Sequence, residues 1–122
     1  MKLAFCTKSK DGRELDDRFG RSAAFRIVES EDGSVVRTMG NALADASGSA
    51  GVGAAQSLAD EGAEGIVAPH LGPKAADAAR RLGLNVWHQG EASTVEEALE
   101  AWKAGRLEEA GTADAPKGLY RA

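Results

Sequence analysis

The sequence predicts an α/β fold, a mixed sheet of about five strands covered by about three helices. Three observations carry this expectation. Apolar, partly β-branched runs alternate with stretches of helical character through the second half of the chain. The first third holds two such runs joined by a short segment ending in Asp-Gly, a strong hairpin signal. The chain has 122 residues, 43% hydrophobic and 28% charged, enough for one buried core and too few for two domains and a linker.

The elements follow in order. Residues 2–7 read as a strand with Leu3, Phe5 and Thr7 on one side and Ala4 and Cys6 on the other. A polar excursion over 8–20 separates it from strands at 25–29 and 35–39, which Ser30-Glu31-Asp32-Gly33 joins as an antiparallel hairpin. The small-residue stretch 41–53 is read as a loop leading into a helix over 54–61, closed by Gly62. A short buried strand at 65–68 leads through Pro69-His70-Leu71-Gly72 to Pro73, a residue suited to the first turn of a helix that ends at Gly83. Residues 84–88 form the last strand. Ser93 or Thr94 then caps a third helix, with Glu96 or Glu97 as capping-box partner and Val95, Ala98, Leu99 and Trp102 as its buried stripe. The order strand, hairpin, helix, strand, helix, strand, helix calls for parallel crossover units beside an antiparallel hairpin, with helices on at least one face. One domain is expected over 1–107, with a loose tail over 108–122.

Several function classes are disfavoured. A formal charge of −4 does not suit sequence-independent nucleic-acid binding, which needs a basic surface. The lone Cys6 permits no internal disulfide and no CxxC zinc pair. The absence of a signal-like apolar run at the start, or of any stretch as long as a membrane span, leads to the expectation of a cytoplasmic protein. No Ser-His-Asp or Cys-His arrangement announces itself, and adjacent Asp16 and Asp17 would not point at one substrate, so an enzyme is not expected.

Ligands of open α/β sheets gather beyond the carboxyl ends of the strands. Cys6, His70 and His88 all stand there, and one thiolate with two imidazoles would suit copper, iron or a sulfide cluster. Each has a plain alternative: Cys6 as a small core residue, His70 as a loop residue, His88 as a solvated strand end. Gly48, Gly51 and Gly53 precede a helix and could cradle an anion, or serve only close packing; neither a Walker motif nor GxGxxG is present. Arg13, Arg18, Arg21 and Arg26 cluster in an acidic chain, and in Arg18-Phe19-Gly20-Arg21 two guanidinium groups flank an aromatic-glycine turn, a grip for a carboxylate, phosphate or anionic cluster, or simply a solvated loop.

Residues 17–25, Asp-Arg-Phe-Gly-Arg-Ser-Ala-Ala-Phe, resemble the histidine-phenylalanine-glycine element of the nitrogenase iron–molybdenum cofactor biosynthesis family, the NifX, NafY and NifB carboxy-terminal type. Residues 51–62 resemble its glycine-rich helix start, 66–75 its following strand and Gly-Pro turn, and 94–98 its last helix, so that the similarity spans roughly residues 1–107. The resemblance implies a ribonuclease H-like sheet and a small metallocluster-binding or carrier protein. Its cargo would be an iron–molybdenum cofactor or precursor, or a molybdenum–copper sulfide cluster, with a protein partner in cofactor assembly. The sequence departs from the pattern at Arg18, where cluster-binding members have histidine, and at Ser22, where some carry a cysteine. Arg18 and Arg21 are then left to hold an anionic cluster by charge, and His70 to supply a ligand. The alternative is a protein-interaction module that has kept the fold and lost the cluster.

Overall fold

A computed structural model of the chain describes residues 1–10, 12–41 and 50–110. The elements are β1 Lys2–Thr7, β2 Ala24–Glu29, β3 Val35–Gly40, α1 Ala50–Asp60, β4 Gly65–Ala68, α2 Pro73–Arg81, β5 Asn85–His88 and α3 Val95–Lys103. The strands form one sheet in the order β3-β2-β1-β4-β5. β1 pairs antiparallel with β2 and β2 with β3, while β1–β4 and β4–β5 are parallel. This is the mixed five-stranded sheet with three helices that the element order predicts.

The two-residue alternation of β1 sorts the core into two layers. Ala4 and Cys6 face α1 and α2, packing with Phe25, Ile27, Ile66, Leu58 and Ala79. Leu3 and Phe5 face α3, packing with Val28, Val67, Val95 and Ala98. Both faces of the central strands are therefore dry. Every residue from Leu3 to Thr7 is fully buried.

Local chemistry fixes the ends of the elements. Gly33 turns the hairpin at φ +75°, a conformation costly to residues with a Cβ, and Asp32 accepts from the Ser34 amide at 2.9 Å. Thr94 caps α3 by accepting from the Glu97 amide at 3.2 Å, and the Glu97 carboxylate accepts from the Ser93 amide at 2.8 Å. The excursion after β1 folds back onto the sheet: Asp16 N donates to Cys6 O at 2.8 Å and Val95 N to Arg13 O at 2.9 Å, tying it to β1 and to the start of α3.

α1 differs from the sequence expectation. It begins at Ala50, so Gly51 and Gly53 lie inside its first turn and not in a loop before it. Glycine costs a helix interior about 1 kcal/mol relative to alanine, which is why the pattern reads as a break there. Packing overrides that preference, because a Cβ on Gly51 would sit 2.8 Å from the Ala75 Cβ of α2.

The paired structure also continues past residue 107. His88 N donates to Glu108 O and Ala110 N to Val86 O, each at 2.8 Å, so 108–110 cover the outer edge of β5. The rest of the expected tail lies outside the described residues. No helix among the described residues is long and apolar enough to cross a membrane.

Candidate functional site

Beyond the carboxyl ends of β1 and β4, three segments enclose an open cavity of about 640 Å³. They are residues 17–21, the first three residues of α1, and His70 with residues 72–75. The Arg18-to-Arg21 loop, part of the glycine stretch and His70 thus share one space. Gly53 lies one residue beyond the α1 positions that line the cavity, and Gly48 lies outside the described residues.

The loop is held from several sides. Phe19 is 4% exposed and stacks at a tilt on Phe25, ring centroids 5.9 Å apart. Gly20 presses on α1, where a Cβ would meet the Gly51 amide nitrogen at 2.6 Å. Asn41, at the end of β3, donates through Nδ2 to the carbonyls of Gly20 and Ser22, both at 2.9 Å. The Ser22 hydroxyl is buried and donates to Ala24 O at 2.8 Å, so this position serves the backbone of the loop.

Asp16 sits behind the loop, nearly sealed from solvent, while Asp17 is exposed and lines the cavity; the adjacent carboxylates diverge. Asp16 Oδ1 accepts from Arg18 N at 3.1 Å and Arg18 Nε at 3.2 Å; its Oδ2 accepts from Arg18 Nη2 at 3.3 Å and Ala23 N at 3.2 Å. Burial alone would push this carboxyl up. The Arg18 side chain and the Ala23 amide outweigh burial and hold it below the ordinary carboxylate range. Gln89 braces the same turn, donating through Nε2 to Asp16 O at 3.1 Å.

The opposite wall is the start of α2. Its N-cap, Gly72, has no side chain to accept from the first-turn amides, Pro73 follows, and Lys74 stands on the cavity wall. Unclaimed N–H groups and the helix dipole favour an anion at such a terminus. Arg18, Arg21 and Lys74 give the cavity three cationic side chains, against Asp17 on the wall and Asp16 behind it.

Sequence reasoning missed Lys74, Asn41 and Asp16. Lys74 had a legible signal in Gly72-Pro73-Lys74, a helix start without a capping acceptor followed by a cation. Asn41 acts through tertiary contacts that no local pattern announces, whereas Asp16 bonds mainly to Arg18 two residues on, a local aspartate turn, and reaches only as far as Ala23.

Cys6, His70 and His88 are not brought together. Cys6 is fully buried in the core layer under α1 and α2, and burial, with a further contribution from the Asp16 carboxylate, pushes its thiol far above the ordinary value. His88 is on β5, separated from β1 by β4, and strands two apart lie about 10 Å from each other. His70 is exposed on the cavity. Among the described residues, no three of His, Cys, Asp or Glu are grouped so as to hold a metal ion.

Comparison with known proteins places this geometry among relatives. The family model described as dinitrogenase iron-molybdenum cofactor matches residues 1–105. The structure superposes on the apo form of the orange protein from Desulfovibrio gigas with a TM-score of 0.83, at 29% identity over 93% of this chain and 96% of that one. A candidate NifB protein from Thermotoga, assigned to the DUF35 family, superposes at 0.75 with 33% identity over 96% of this chain and 97% of that one. An uncharacterized protein of Methanocaldococcus jannaschii is 28% identical over 100 residues, 80% of this chain and 84% of its own.

Proposed function

The chain belongs to the dinitrogenase iron-molybdenum cofactor family, and from that premise we propose that it binds and carries a small anionic metallocluster in the cavity between the Arg18-to-Arg21 loop and the starts of α1 and α2. One observation carries the reading: three cationic side chains, an uncapped helix start and His70 line one cavity, on a loop already fixed by Asp16, Asn41 and the Gly20–Gly51 contact. A fixed loop needs little ordering on binding, so more of the electrostatic attraction is available to hold cargo.

The chemistry of the lining favours charge recognition over a ligand cage. No thiolate reaches the cavity, since Cys6 is buried elsewhere, and His70 is the single soft-to-borderline donor among the lining residues. An iron–molybdenum or molybdenum–copper sulfide cluster would be held through its anionic sulfide or oxide periphery by Arg18, Arg21, Lys74 and the amides of α2, with His70 available for one direct bond. The role is that of a carrier and not a catalyst, with transfer to a protein partner in cofactor assembly. A protein-interaction role on the same fold is the second reading, and Arg18 in place of a metal-ligating histidine favours it.

Anaerobic reconstitution separates the two. The protein is mixed with tetrathiomolybdate plus copper(I), and separately with isolated iron–molybdenum cofactor, then passed through gel filtration with absorption and metal analysis. Stoichiometric co-elution that Arg21→Ala and Lys74→Ala weaken supports the carrier. Elution free of metal under every condition overturns it and leaves the interaction module.

A further inference from the structure

The two edges of the sheet differ. The outer edge of β5 is covered by residues 108–110, whereas among the described residues no strand pairs with the outer side of β3. The pairing of β3 tells which of its backbone groups face outward. Asn41 N donates inward to Ala23 O at 3.1 Å, and an antiparallel ladder alternates residue by residue, so Met39 also bonds to β2 while Thr38 and Gly40 turn their N–H and C=O groups away from it. Ile27 pairs with Arg37 and Val28 with Val35, which leaves Val36 as a bulge residue and 37–40 in regular register.

This edge is apolar and weakly guarded. Val35 and Val36 are 51% and 46% exposed, and with Met1 they are the large hydrophobic side chains on the surface of the described residues. Sheet edges are commonly blunted by proline, lysine or unpaired charge. β3 itself holds neither proline nor lysine, and its one charged residue, Arg37, is engaged by Glu61 at 3.1 Å. The two ends of the strand carry opposite charge. At the hairpin end Glu31 and Asp32 are exposed; at the other, a Cβ on Gly40 would lie 3.7 Å from the side chain of exposed Lys10.

We infer that β3 is a self-association edge, pairing antiparallel with β3 of a second copy about a two-fold axis at Thr38, so that two sheets join into one. A two-fold contact must be self-complementary. Centred on Thr38, Thr38 meets Thr38 of the second copy through outward backbone groups, Val36 faces Gly40, and Arg37 faces Met39, so no like charges stand opposite each other. A centre at Arg37 would set arginine against arginine. The antiparallel direction also carries the acidic hairpin of each copy toward Lys10 of the other, and this charge match at both ends identifies a second copy as the occupant. The contact is confined to one short strand from each copy, below the size of stable interfaces, so the dimer is weak and forms at high concentration. It does not depend on the cluster reading.

The test is sedimentation equilibrium of the full chain from about 20 μM to about 2 mM, with amide hydrogen exchange measured at both ends of that range, where a weak dimer dissociates and forms. The mass should rise from one chain toward two, and exchange at Thr38 and Gly40 should slow several-fold at the higher concentration. Thr38→Pro removes an outward N–H and no bond to β2, and should hold the mass at one chain throughout. A dimer that Thr38→Pro leaves intact, or exchange at Thr38 and Gly40 that is the same at both concentrations, overturns the pairing. A single-chain mass at every concentration also overturns it and leaves the edge to a strand of another protein. Mass and exchange are read on the unmodified chain, so the test holds even if the variant fails to fold.

Discussion

The backbones of Gly20 and Gly51 meet so closely that a Cβ on Gly20 would come within 2.6 Å of the Gly51 amide nitrogen and 2.7 Å of its Cα. This contact joins the arginine loop to the first turn of α1. Gly51 in turn touches α2, where its own Cβ would crowd Ala75. Loop, α1 and α2 are thus stacked through two glycines, and the cavity takes its shape from that stack.

Gly20→Ala should therefore act on both stability and binding. The clash is with backbone, which cannot swing aside as a flexible side chain can, so the loop must lift from α1. Overpacking of this kind costs about 1–3 kcal/mol. Thermal denaturation should show that loss, and metallocluster uptake should fall even though no charge has changed. An unchanged melting temperature would show that the loop relaxes freely and that the contact does not set the cavity's shape.

Much of this arrangement was legible in the sequence, for physical reasons that differ by element. The strands were readable because both periodicity and β-branching point the same way, and β1 even disclosed its two faces through Leu3 and Phe5 against Ala4 and Cys6. The third helix was readable because Thr94 and Glu97 form a local capping signal. The start of α1 was not, since helix propensity penalises Gly51 and Gly53, and the packing of Gly51 against Ala75, which overrides it, is not visible in the local pattern. The site was readable as far as charge clusters in sequence: Arg18, Arg21 and His70 line one cavity, but one support of the loop, Asn41, is recruited across the fold, while the other, Asp16, acts within the loop itself. The metal triad failed as a set because proximity to strand ends does not place side chains on neighbouring strands in reach of one ion.

Asp16 gives the chain a pH dependence whose sign follows from its environment. Its carboxyl is held below the ordinary range in the folded state, so the unfolded chain binds its proton more readily. The stabilisation is fully present above the unfolded value, about 3.9, and is lost as pH falls through the lower folded value. Asp16→Asn should cost about 2 kcal/mol at neutral pH, as hydrogen bonds to a buried charge are lost and the largely exposed Arg18 is left to solvent. The difference in melting temperature between parent and variant should stay flat from neutral pH to about pH 5 and narrow below about pH 4. A difference that grows on acidification would contradict the assigned role.

Cys6 separates a ligand from a core residue by its reactivity. A fully buried thiol with a raised pKa is neither exposed nor ionised at neutral pH, so a maleimide should label it only after denaturation. Cys6→Ala removes a small buried group and should lower stability by about 1 kcal/mol while leaving metallocluster uptake unchanged. Loss of uptake in a variant that remains folded would make Cys6 a ligand and require the core around it to open.

Gly72→Ser tests the anion-binding end of α2 by setting stability against function. Gly72 has extended φ and ψ of −68° and 167°, and a Cβ placed on it meets nothing within 4 Å, so serine fits without strain. Its hydroxyl would accept from a first-turn amide and supply the cap that the helix lacks, stabilising the fold by up to about 1 kcal/mol. The same bond would occupy an N–H group now facing the cavity and place an oxygen where an anion would be held. A higher melting temperature with weaker tetrathiomolybdate–copper binding is the expected pair of results. The native glycine then reads as a concession of helix stability to binding, a trade common at sites that must keep donors open. A stabilised variant that binds as tightly as the parent would remove the α2 amides from the site and leave Arg18, Arg21 and Lys74 to hold the cluster by side-chain charge alone.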